Sequence, residues 1–433
     1  MRRAVFVLVI VVFLAGCVGA PVTSDSHEPE DNTLGIVDGV AHDDDLAISV
    51  EDGLTQSELE ALATRSMARI EVIRDLEFEE TVDIQVMTRE EYRESDATTN
   101  VSENQTRWQN QVWEAKFVVG QDRDVTDVLD RTFGDAVQGF YSPANEEVVI
   151  VTDEDRTKVN KRTLVHELVH VLQDQQFGLD SAPARQDPSL ARNGLIEGEA
   201  ELIPELYFER CEREWSCLEP PAPPIDTDRD VDPGVIHVFI QPYEQGPGFV
   251  DAMKERGGWD QVNELHDAHP ESTTQIIHPE RYPDVRPVNV TVEDRSSEEW
   301  RRIDHDPIGE TVGQAAIHVM LQHNGVITVE DLFGYSHPTS DGWTGDELVP
   351  YVNDDGETGH VWEIEWESTD DAAEFADAFV TLLEERGALE RAQESYLIPE
   401  APFEGGFDVR VDGTTVTIVG GPTVESLEGI HGT

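Results

Sequence analysis

His166 and His170 stand four residues apart in the run Leu164-Val165-His166-Glu167-Leu168-Val169-His170-Val171-Leu172. In an α-helix that spacing stacks two imidazoles on one face, so both can aim at one point while Glu167 stands beside them. This H-E-x-x-H arrangement suits two neutral histidines holding Zn²⁺ and a glutamate acting as general base on a water that the metal activates. A catalytic zinc site needs a third protein ligand and one open position. Downstream, Ile196-Glu197-Gly198-Glu199-Ala200-Glu201 reads as a helix returning beside the first, and Glu197 is the expected third ligand. Glu201, one turn on, is expected to accept a hydrogen bond from a ligand imidazole and fix its tautomer. Asp174, one turn after His170, is a further candidate for that work. Two plainer readings compete: both histidines as hydrogen-bonded core residues, and Glu197, Glu201 and Glu205 as an ordinary solvated helix face.

These residues need elements that hold them. The motif helix is expected over about 155–177, stopped by Gly178, and it is apolar around most of its girth, so it should be buried. Apolar spacing predicts a helix over 55–78, with Ser57 and Glu60 as a capping box, and alternation predicts a strand over 81–87. A turn at 139–145 feeds a strand over 147–151, which makes Gly139 to Pro143 candidate contacts for an extended peptide. Further on, 249–265 reads as a helix interrupted at Gly257-Gly258, and Gly309 to Asn324 as another helix. His237, His278, His305 and His318 are candidate proton donors that sequence alone cannot rank. Beyond 341 come a strand at 361–366, an amphipathic helix at 370–386 and a hairpin turning at Asp412-Gly413. The expected organisation is 1–16 signal peptide, 17–54 acidic tether, 55–340 catalytic domain and 341–433 a small α+β extension.

His166-Glu167-Leu168-Val169-His170 followed by Glu197-Gly198-Glu199-Ala200 resembles the gluzincin metallopeptidases, whose third zinc ligand is a glutamate on the next helix. The resemblance extends to Gln241-Pro242-Tyr243-Glu244-Gln245-Gly246, similar to a Pro-Tyr-Glu-x-Gly segment of that clan. It implies that Tyr243 donates a hydrogen bond to the oxyanion. It also implies an α+β zincin-like core with a mainly helical lower half, a peptide or protein substrate and a Zn²⁺ cofactor. The Gly-x-Met-Glu-Asn strand of the aminopeptidases is absent, so trimming from the N-terminus is not implied.

The chain opens Met1-Arg2-Arg3, runs apolar from Ala4 to Ala15 and reaches Leu14-Ala15-Gly16-Cys17. A basic start and a short apolar core make an export signal, and Leu-Ala-Gly-Cys resembles a lipobox in which Cys17 takes lipid. An exported chain meets an oxidising environment, so Cys211 and Cys217 are expected to pair as a disulfide, with metal ligation the less fitting alternative. Asn100, Asn104 and Asn289 open glycosylation sequons, which suggests exposed loops.

The formal net charge is −61, from 91 acidic against 30 basic residues, of which only Lys116, Lys158, Lys161 and Lys254 are lysines. A hydrophobic share of 38% with eight tryptophans still argues for a folded chain. Such a surface repels itself in dilute buffer and is screened in molar salt, where the Debye length falls to about 3 Å. A nucleic-acid partner is excluded by the sign of the charge. The whole arrangement resembles uncharacterised haloarchaeal surface lipoproteins that carry the zincin signature. The expectation is a zinc peptidase on the outer face of the cytoplasmic membrane; the alternative is a non-catalytic surface binding module that keeps the metal helix for structure.

Overall fold

A computed structural model describes residues 34–46, 48, 53–95, 102–134, 137–152, 159–179, 182–218, 231–392 and 395–432. The export signal, Cys17, most of the tether and Asn100 lie outside the described residues. The protein is mixed α and β. Among the described residues no helix is long and apolar enough to cross a membrane.

The N-terminal half opens with a small ribbon, β1 (Ile36–Val37) and β2 (Val40–Ala41), laid on helix α1 (Gln56–Arg74). The capping box of α1 is formed by Thr55 and Glu58, two residues earlier than the Ser57–Glu60 pair expected. Both pairs have the required spacing, and the first helical residue decides which is used. Strand β3 (Asp83–Thr88) follows, then α2 (Arg89–Ser95), α3 (Glu103–Ala115) and α4 (Val125–Phe133). Asn104 sits exposed in the first turn of α3 rather than in a loop. Strands β4 (Gly139–Ser142) and β5 (Glu147–Thr152) form a hairpin, so the segment expected as a turn is itself a strand. β5 pairs in parallel with β3, which leaves β4 as an edge of this three-stranded sheet.

Three helices carry the motif residues or their supports. Helix α5 (Lys161–Phe177) starts at the Asn160 cap and ends at Gly178, whose φ of 76° suits glycine. Leu164, Val165, Leu168, Val169, Val171 and Leu172 are all buried, as an apolar girth requires. Helix α6 (Gln186–Cys211) returns beside it, and α7 (Pro233–Asp267) packs on α6. Backbone angles break α7 at Gly257 and at Gly258, where φ is 72° and ψ −165°. Cys211, at the end of α6, is bonded to Cys217.

The C-terminal half adds α8 (Thr273–Ile277), β6 (Trp300–Arg302), α9 (Gly313–His323), α10 (Pro338–Asp341), β7 (Trp343–Asn353), β8 (Thr358–Trp366), α11 (Thr369–Glu385), β9 (Leu389–Ala392), β10 (Ser395–Ile398), β11 (Gly405–Asp412), β12 (Thr415–Gly421) and α12 (Leu427–Ile430). Its seven strands form an antiparallel sheet in the order β6-β7-β8-β12-β11-β10-β9. Trp362, Ile364 and Trp366 face one side with α9 and α11, while Val361, Val419 and Tyr351 face the other with α12. This layer reaches back to Trp300, so a boundary at 341 cuts through it. The long excursion from β6 through α9 and α10 before β7 hides that pairing from the sequence. Nor is the layer a satellite, because its core is continuous with Trp108, Val112, Val235 and Val238 of the N-terminal half.

Where the halves meet, Asp187 is fully buried and accepts hydrogen bonds from the Thr273 amide and hydroxyl. Burial, reinforced by the nearby Asp346 and Glu310 carboxyls, outweighs those bonds and pushes its pKa up to about 8. The folded chain therefore keeps a proton that the unfolded chain releases near pH 4. The stability this group contributes is complete in acid and is lost as pH rises through 8. Asp187→Asn keeps the accepting oxygen without the titration. Its unfolding free energy is expected to match wild type near pH 4 and to exceed it by a few kcal/mol at pH 8.5, on a scale of about 1.4 kcal/mol per pKa unit. Urea unfolding at the two pH values, in molar salt, checks this; parallel curves would mean that Asp187 is ionised in the fold.

Candidate metal centre

Helix geometry carries out the stacking that the spacing calls for. His166 and His170 put their Nε2 atoms 3.1 Å apart on one face of α5. From α6, Glu197 brings Oε2 to 3.2 Å from His166 Nε2 and 3.4 Å from His170 Nε2. All three side chains are buried, at 1%, 1% and 2% exposure. Bonds of about 2.0–2.1 Å to a tetrahedral ion set its ligand atoms about 3.3–3.4 Å apart, so the three separations are close to the edges of such a tetrahedron. The buried triad can hold a metal ion, and among the described residues no fourth His, Cys, Asp or Glu joins it.

The charges of the triad support one another. Burial works against protonating His166, yet Glu197 and Glu201 outweigh it and lift its pKa to about 10. Burial likewise opposes ionising Glu197, and His170 and His166 overcome it, drawing its pKa down to about 2.

Glu167 adjoins the triad and is fully buried, and neither of its carboxylate oxygens has a hydrogen-bond partner in the protein. Burial raises its pKa against the pull of His166 and His170. The Tyr141 amide of edge strand β4 faces it without a well-aligned hydrogen bond. A desolvated carboxyl left unbonded costs several kcal/mol unless a ligand, water or proton completes it.

Glu201 lies where sequence places it: its Oε1 is 3.2 Å from His166 Nδ1, though off the hydrogen-bond axis, and its Oε2 pairs with Arg162 at 2.9 Å. Glu205, a turn further, is exposed, so the acidic row runs from the centre out to solvent. Asp174 does not serve a ligand. It accepts from the Tyr141 hydroxyl at 2.8 Å and the Leu179 amide at 2.7 Å, which ties the end of α5 to β4. The Nδ1 of His170 meets Gln173 Oε1 at 2.9 Å instead. The Tyr243 ring is half-buried and nearly parallel to that of His166, with centroids 6.5 Å apart.

Two glycines, Gly198 and Gly246, let α6 and α7 come this close. A Cβ on Gly198 would stand 2.4 Å from the Gly246 carbonyl carbon, and one on Gly246 would stand 2.3 Å from the Gly194 oxygen. Backbone meets backbone at that crossing. It sits next to Glu197 on one helix and three residues after Tyr243 on the other. Gly194, one turn earlier on α6, makes room instead for Ile276 of α8.

The other histidines are engaged elsewhere. His305 stacks on Trp108 at 4.2 Å, His278 meets Gln314 at 3.0 Å, and His237 and His318 pack against Tyr335.

Residues 301–431 match the family model described as Domain of unknown function (DUF8575). That stretch runs from β6 to α12 and holds none of the triad. No curated protein and no solved structure matches the chain.

Proposed function

We propose that this protein is a zinc-dependent metallopeptidase of gluzincin type, exported and held at the outer face of the membrane by lipid on Cys17. The observation that carries the reading is the convergence of His166, His170 and Glu197 at 3.1–3.4 Å beside a buried glutamate with no hydrogen-bond partner. A site that held metal for structure alone would have no use for that glutamate. The N₂O donor set without cysteine suits zinc in a hydrolase.

Zinc bound there supplies Lewis acidity, which makes a water nucleophilic at neutral pH and polarises a carbonyl. The protein's own groups do the rest. Glu167 takes the proton of the attacking water and delivers it to the leaving amine nitrogen. Tyr243 donates a hydrogen bond to the carbonyl oxygen as it gains charge. An extended peptide adds to the open edge of β4, whose Tyr141 adjoins Glu167, by backbone hydrogen bonding. Export is supported by the apolar N-terminal run with its Leu-Ala-Gly-Cys end and by the Cys211–Cys217 bond.

Protein purified from molar salt is expected to carry about one zinc per chain by elemental analysis and to cleave a broad peptide library. Chelation should stop cleavage and added zinc restore it. Stoichiometric absence of zinc sinks the reading, and full zinc with no cleavage of any peptide turns it towards a surface binding module.

A further inference from the structure

Behind His170, on the side away from the triad, lies a chain of buried polar groups that crosses four helices. Gln173 Oε1 stands 2.9 Å from His170 Nδ1. Its Nε2 donates to the Ile196 carbonyl at 3.0 Å and to Glu199 Oε2 at 3.0 Å. Glu199 also contacts Arg74 of α1 and His266 Nε2 of α7, the latter at 2.9 Å. Arg74 is held in turn by Asn263 Oδ1 at 2.6 Å and by the face of Trp259, 4.5 Å away. His266 stacks on Phe177 with ring centroids 4.1 Å apart. Gln173, Glu199 and Arg74 are all buried.

The chain has a direction. Glu199 is paired with the guanidinium of Arg74, a permanent cation, so its carboxylate only accepts. The Ile196 carbonyl also only accepts. Both face one end of the Gln173 amide, so that end must be the NH₂ and the other end the oxygen. An amide oxygen accepts, which requires a hydrogen on His170 Nδ1. A neutral imidazole then has its lone pair on Nε2, the atom turned to the triad.

We propose that Gln173, clamped by Glu199 and Arg74, is the positioning residue that fixes His170 as the Nδ1–H tautomer and so sets the metal affinity of the centre. Glu199 takes no part as a ligand despite lying two residues from Glu197. This rests on the reading of the triad as a metal site. Groups that hydrogen-bond a ligand histidine in this way are worth about 10–100-fold in metal affinity.

The test measures zinc affinity by competition with a chromophoric chelator in molar salt, alongside circular dichroism and thermal unfolding. Gln173→Met keeps the length and removes the acceptor, and is expected to weaken zinc by about 10–100-fold while the fold is kept. The exchange Gln173→Glu with Glu199→Gln reverses the middle bond but restores an acceptor at His170 Nδ1, and should recover most of the affinity. Should Gln173→Met fail to fold, Gln173→Leu, which also removes the acceptor, makes the same comparison. Wild-type affinity in Gln173→Met, or no recovery in the folded double variant, overturns the proposal. Failure of the wild type itself to bind zinc would instead strike the metal reading on which it rests.

Discussion

Glu167→Gln is expected to lower peptide hydrolysis by about 10²–10⁴-fold while zinc stays bound at one per chain. The amide has the size and shape of the carboxylate, so packing in the fully buried position is kept. What it loses is the capacity to take a proton from water and return it to the leaving nitrogen. His166, His170 and Glu197 are untouched, so metal content separates loss of the base from loss of the site. Activity and elemental analysis on one preparation are the measurement. An undiminished rate with zinc in place would assign the proton transfer to another group.

The second large effect is expected far from any reacting atom. Gly198→Ala drives a methyl group onto the Gly246 backbone at 2.4 Å, and neither strand of main chain can swing aside as a flexible side chain would. Overpacking of this kind costs about 3 kcal/mol at the upper end of its usual range. The only relief is to part α6 from α7, which draws Glu197 and Tyr243 away from each other. Gly198→Ala should therefore lose both stability in denaturant and zinc affinity. Gly248→Ala is the control: it lies on the same helix two residues past Gly246, and nothing stands within 4 Å of an added Cβ. That change is expected to be neutral or to stabilise by up to about 1 kcal/mol through helix propensity. Equal effects from both substitutions would mean that the close crossing does not position the centre.

The contrast marks how far sequence reading reaches. The His166–Glu167–His170 motif follows from helical spacing, and Glu197 from its place on a second helix that returns beside the first. The hairpin turning near Gly413 and the break at Gly257-Gly258 are equally local, and the structure has both. Gln173 stands three residues from His170 and is legible by spacing, whereas the carboxylate one position further, Asp174, belongs to Tyr141. Arg74 and His266 were not legible, since their meeting at Glu199 depends on how α1 and α7 pack. The return of β6 to β7 across forty residues is hidden for the same reason. Periodicity reports which face of an element is buried; it carries no account of which distant element covers that face.

The glycine pair at 257–258 gives α7 a property that its length alone would deny. Tyr243 belongs to the rod before the pair and His266 to the rod after it. Were α7 one stiff shaft, about 34 Å would separate those residues, and a tilt of about 5° at one end would sweep the other through about 3 Å. That sweep exceeds the tolerance of the 2.9 Å contact between His266 and Glu199. With a pivot at Gly258 the two rods are separate levers. The first is set by its crossing on Gly198 beside Tyr243, and the second by the grip of His266 on Glu199 behind His170.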